Sequence, residues 1–181
     1  MNMNIYMWQN ITWLFFHKLA LNMYQNKKIE YENFFESFKI LIPCSICRNH
    51  YIKMLDEPHF NLKKSVLKNE IFYFTINIHN NVNLKTGKMI WTHERAKKHY
   101  SSFFLDFNQI KRFLLTFVFH NFKKGPQKTQ NLFKMILSFS HIFPKHNVSK
   151  KLIKYQKIIK PNKNNFHKWI TGYILIIKKE L

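Results

Sequence analysis

The chain has 181 residues, 46% of them hydrophobic and 19 of them Phe, which suits one ordinary domain or a small domain with an extension and excludes global disorder. Three glycines and five prolines argue against a turn-dense β-sandwich. Gly87, Gly125 and Gly172 lie too far apart for a Gly-rich phosphate loop, and two cysteines exclude a disulfide-stapled mini-protein. Thirty Lys and Arg against nine Asp and Glu give a net charge of +21, most of it beyond residue 100, and such a surface attracts nucleic acid, anionic membranes or phosphorylated cofactors. The basic residues are nearly all Lys, with Asn and Ile abundant and Ala scarce, so A/T-rich codon usage is a second source of the charge.

From the N-terminus, Met1 to Gln9 offer no basic region and no small-residue cleavage site, so a secretory signal is not expected. Ile5, Trp8, Thr12, Phe15, Phe16 and Leu19 recur at helical steps. A second apolar face, Phe34, Phe35, Phe38, Leu41 and Ile42, stops at Pro43, which is expected to open a third helix carrying Cys44, Cys47, Tyr51 and Leu55. After the break at Asp56-Glu57-Pro58, Val66 to Val82 reads as one long helix, closed by a loop around Gly87. Thr92 and Glu94 mark the start of a fifth helix. Further helical runs follow at about 108–121, 129–142, 149–159 and 165–178, separated by Gly125-Pro126, Pro144 and Pro161. The longest apolar stretches, Phe113–Phe119 and Trp169–Ile177, fall short of a membrane span, so a soluble, all-α protein without a span is expected. No repeat and no motif is evident after residue 105, and that half reads as a basic helical appendage.

Cys44-Ser45-Ile46-Cys47 is the first chemical candidate, because a C-x-x-C pair can close a small disulfide and exchange it with a partner's thiols. In the first turn of a helix, the free N–H groups and the helix dipole would favour the reactive thiolate. Two inert thiols, or half of a zinc site with His50 as a further ligand, are the other readings; no second ligand cluster accompanies them, so no metal is expected. The second candidate is His79-Asn80-Asn81-Val82-Asn83 with Lys85 and Lys88. One His and three amides at a helix end can hold a nucleotide and its phosphates, or can simply cap the helix beside a solvated Lys loop. His17 shares a helical face with Trp13 and could equally be a core histidine with its ring satisfied.

In order, Trp8, Trp13-x-x-x-His17, Pro43-Cys44-x-x-Cys47, His79-Asn80-x-Val82-Asn83-x-Lys85-x-Gly87-Lys88 and Tyr100 resemble the Erv/ALR family of FAD-linked sulfhydryl oxidases, especially its short forms in large cytoplasmic DNA viruses. The resemblance covers about residues 1–105 and implies a four-helix FAD-binding bundle with a short fifth helix, leaving 106–181 as a basic helical extension of unknown role. It implies that Cys44 exchanges disulfides and Cys47 stands nearest the flavin. It also implies that Trp13, His17 and Tyr100 pack on the adenine, that His79, Asn80 and Asn83 hold the cofactor, and that Lys85 and Lys88 lie near its phosphates. Gln9 stands where relatives often carry Gly, and Ile42 and Ile76 replace a frequent Tyr and a structural Cys, so no second disulfide is expected.

The implied activity is thiol oxidation with O2 as acceptor and hydrogen peroxide as product. Electrons would enter at Cys44 from a protein dithiol or a small redox shuttle protein. A homodimer, a site of action in the host cytoplasm or the virion, and a role in forming virion-protein disulfides are implied as well. Residues 106–181 are a candidate surface for nucleic acid or an acidic partner and are expected to be dispensable for the chemistry. The competing expectation is a basic nucleic-acid-binding or virion structural protein without oxidase activity.

Overall fold

A computed structural model describes residues 5–181, with side chains from Trp8 onward, so the place of the Ile5 side chain lies outside the described residues. Among the described residues, ten α-helices account for most of the chain and no strand occurs. They are α1 (Ile5–Leu21), α2 (Lys28–Leu41), α3 (Ser45–Asp56), α4 (Leu62–Leu67), α5 (Ile71–Lys85), α6 (His93–Ser101), α7 (Phe107–Asn121), α8 (Pro126–His141), α9 (His146–Ile158) and α10 (Phe166–Glu180). The all-α expectation holds.

Local chemistry sets the boundaries. Pro43 is not the first residue of α3; it precedes the cap, and Cys44 itself is the N-cap, its sulfur accepting the Cys47 N–H at 3.2 Å. The run from Val66 to Val82 is two helices rather than one, because Asn69 adopts φ 60° and so stops α4 before α5 begins. Thr92 caps α6, and Asp106 with Gln109 forms a reciprocal capping box on α7. Gly125 at φ 119°, a conformation open to glycine, turns the chain into α8, whose first residue is Pro126.

The first half builds a bundle in which α1 packs on α5 and α6, and α2 packs on α3 and α4. Phe16 sits among Phe34, Phe35, Phe38 and Tyr51, with ring centroids 4.7–6.3 Å apart. The other sides of α1 and α2 face the second half. There α8 lies along α2 in the most extensive helix pairing of the molecule, and α7 lies along α1. Phe15 stacks on Phe113 at 4.1 Å, and Phe139 reaches both Phe15 and Phe34. Residues 106–181 are therefore no loose appendage: the two halves share one continuous hydrophobic core.

Candidate active site

The C-x-x-C pair opens α3. Both cysteines are half-buried free thiols, and Cys47 lines a cleft of about 540 Å³ between α1, α3 and α5, whereas Cys44 does not. The thiolate preference expected of a helix start does not hold at Cys47. Burial, with the Cys44 sulfur beside it, pushes its thiol up to about 11. The main opposing influence is Gln9, whose amide donates to Cys47 Sγ at 3.7 Å. The residue that departs from the family's frequent Gly thus contacts the cleft-side thiol.

Across the cleft, α1 and α5 are joined by a chain of side chains. Thr75 Oγ1 donates to the Phe72 carbonyl, so its oxygen accepts from His17 Nδ1 at 3.0 Å. His17 Nε2 is then the acceptor for His79 Nδ1 at 2.9 Å, which leaves His79 Nε2 without a proton. Burial is the main force holding both rings neutral. It brings His79 down to about 4, with Lys88 adding to the effect, and it lowers the fully buried His17 well below the ordinary histidine value. Trp13 lies flat on His79, with centroids 4.3 Å apart and planes 3° from parallel.

The 86–91 segment forms the remaining wall. Asn80 grips it by donating to the Trp91 carbonyl at 2.7 Å and accepting the Trp91 N–H at 2.9 Å. Asn83 donates to the Met89 carbonyl at 2.9 Å. Trp91, with the Arg95 guanidinium 5.1 Å above its ring, therefore faces the cleft in a fixed place.

Cys47, Trp13, His79, Asn83 and Lys88 of the expected residues are brought together on the cleft. His17 and Tyr100 stand behind them, with the Tyr100 ring 4.5 Å from His17 and its carbonyl accepting from the buried Lys18 ammonium. Asn80 is spent on the loop, and Lys85 is an exposed residue away from the cleft. Gln9, flagged in the sequence by the family's frequent Gly, lines the cleft, and Trp91 is a cleft residue that sequence reasoning did not place there. Trp91 sits in an aperiodic loop, and its only signal was an aromatic residue just before a helix cap. Among the described residues no three Cys, His, Asp or Glu side chains converge as metal ligands.

Flat rings on opposite walls, one lysine, several amides and hydroxyls at the rim, and a thiol at one end suit a planar heteroaromatic group carrying a polar, anionic tail. A family model described as the Erv1 / Alr family matches residues 10–101, just over half of the chain and all of this site except Trp8 and Gln9. The chain belongs to the Erv1/Alr family. A protein of Acanthamoeba polyphaga mimivirus named "Probable FAD-linked sulfhydryl oxidase R368" is 35% identical over 95 residues, covering 49% of this chain and 65% of that protein. A frog virus 3 protein named "Putative FAD-linked sulfhydryl oxidase 088R" is 29% identical over 72 residues, covering 40% of this chain and 47% of its own. The chain thus spans less than two thirds of the length of each of these relatives. No solved structure matches it at comparable significance.

Proposed function

We propose that the protein is an FAD-linked thiol oxidase that forms disulfides in protein substrates, with hydrogen peroxide as the reduced product of O2. The observation that carries this reading is the placement of the two thiols: Cys47 on a cleft walled by Trp13, His79 and Trp91, and Cys44 outside it. The residues that would hold the cofactor are Trp8, Trp13, His79, Asn83, Lys88 and Trp91, with His17, Asn80 and Tyr100 fixing them from behind. When bound, FAD supplies a two-electron acceptor and the route to O2.

The chain's own chemistry is disulfide exchange. A substrate thiolate attacks Cys44 Sγ of the oxidised pair, forming a mixed disulfide and releasing Cys47 as thiolate. The substrate's second thiolate attacks its own mixed-disulfide sulfur, which releases Cys44 and leaves two electrons on the cysteine pair. Gln9 stabilises the negative sulfur of Cys47 by donating to it. The neutral His17–His79 pair keeps the ring that lies on Trp13 rigid, and the aromatic walls exclude water.

The viral relatives favour a role in forming virion-protein disulfides in a compartment that is otherwise reducing. Oxygen uptake with dithiothreitol, measured on protein that retains flavin absorbance through gel filtration, tests the reading. Cys47→Ser should keep the flavin and lose oxygen uptake by at least 100-fold, whereas a colourless protein that consumes no oxygen overturns it.

A further inference from the structure

We infer that residues 107–180 are a second, degenerate copy of the four-helix thiol unit, seated on the first about a pseudo-two-fold axis, so that the chain carries its own partner subunit and acts as a single chain with one C-x-x-C pair.

Helices α7, α8, α9 and α10 follow α1, α2, α3 and α5 in order and approximate length. Pro43 and Pro144 lie 101 positions apart, and each precedes the N-cap of the third helix of its unit. Cys44 at φ −75°, ψ 118° and Lys145 at φ −95°, ψ 116° hold the same cap conformation. Carried back along the chain, the same spacing places Ser138-Phe139 on Ser37-Phe38. Each buried position of α2 from Tyr31 to Ile42 then falls on a buried position of α8 and its cap. The last helices agree along one face: buried Phe166, Trp169, Ile170 and Tyr173 fall on buried Ile71, Phe74, Thr75 and Ile78, while buried Phe72 and Ile76 fall on exposed His167 and Thr171.

Contacts between the units are reciprocal, as an isologous interface requires. Phe15 meets Phe113 and α2 meets α8 as self-equivalent pairs. The Phe15–Phe139 contact, 6.0 Å and 48° between planes, has its counterpart in Phe38–Phe113, 6.4 Å and 40°. Two hydrogen bonds also cross this seam near the ends of the same helices. Asn121, ending α7, donates to the Leu41 carbonyl ending α2 at 3.0 Å. Tyr24, just past α1, donates to the Pro144 carbonyl just past α8 at 2.8 Å.

The copy has lost the chemistry. Lys145 and Val148 stand at the positions of Cys44 and Cys47, and Ile174 and Lys178 at those of His79 and Asn83. Where α3 and α5 stand apart across the cleft, α9 and α10 are in direct contact. Tyr155 donates to the Trp169 carbonyl at 3.1 Å and lies so close to Gly172 that any Cβ there would strike its hydroxyl. The Gln156–Ser140–Tyr173 cluster fills the space beneath. The second unit thus contributes an interface and no site.

Light scattering of the full chain across a hundredfold concentration range should give one chain's mass, 22.3 kDa, throughout. A two-chain mass that persists on dilution overturns the inference. Tyr24→Phe and Asn121→Ala, which remove the hydrogen bonds across this seam without touching the thiol site, should each lower Tm by about 2–4 °C. If both leave Tm unchanged, the two units do not share the interface described, and the inference fails while the oxidase reading stands.

Discussion

At the scale of single residues, Cys47 and His79 have opposite pH behaviour. Cys47, raised to about 11 by burial, is protonated at neutral pH, and only its thiolate fraction reacts with an alkylating agent. Its alkylation by iodoacetamide, mapped by mass spectrometry on flavin-free protein, should therefore rise about tenfold per pH unit from pH 8 to 10. His79 runs the other way. Its folded value is about 4 against an unfolded value of 6.5, so between those limits the unfolded chain holds a proton that the folded chain does not. The associated stability, about 3 kcal/mol, is fully present above pH 6.5 and is lost as pH falls through about 4. Thermal melts should show Tm falling across that window, and the fall should be shallower in His79→Gln, which removes a titrating ring.

Among the elements, α5 and the segment after it are the most exposed to single changes. Asn80 satisfies both Trp91 backbone groups, so Asn80→Ala leaves two half-buried polar groups unpaired, a cost of about 1–3 kcal/mol. The variant should melt lower and retain FAD less tightly, with excess FAD restoring part of the loss by mass action; unchanged flavin affinity would remove Trp91 from the cofactor site. Much of this level was legible in the sequence, because helical spacing of Phe, Ile and Leu marks α1, α2 and α7 to α10, while Asp56-Glu57-Pro58 marks the end of α3 and Thr92 the start of α6. Asn80, by contrast, is an amide in an amide-rich run, and nothing local says that its partner is Trp91, eleven residues on, rather than a ligand. The break at Asn69 was hidden for a similar reason: Asn tolerates both helix and left-handed turn.

For the molecule as a whole, pairing of the two halves was the least legible feature. Ser37-Phe38 and Pro43 recur at Ser138-Phe139 and Pro144, but the cysteines between them do not, and apolar residues of different size fill the matching core positions. Burial is preserved where identity is not, and only packing reveals burial. This changes what the basic half is expected to do. A chain ending near Leu105 would leave Phe15, Phe34 and Phe38, all fully buried in the intact chain, without Phe113, Phe117 and Phe139 against them. Exposure of each such ring costs about 1.5–3 kcal/mol, so three together approach the whole stability of about 5–15 kcal/mol typical of a domain. The truncated chain should be insoluble or form two-chain species through α1 and α2, and should lose flavin and oxygen uptake together. A soluble, single-chain product that keeps full oxidase activity would show that α7–α10 are dispensable to the fold. The +14 charge of residues 101–181 lies on the outer faces of that same support, where Lys150, Lys151, Lys154 and Lys157 are exposed. Nucleic-acid binding by the intact protein, where it occurs, should therefore weaken steeply with added salt while oxygen uptake with dithiothreitol changes little.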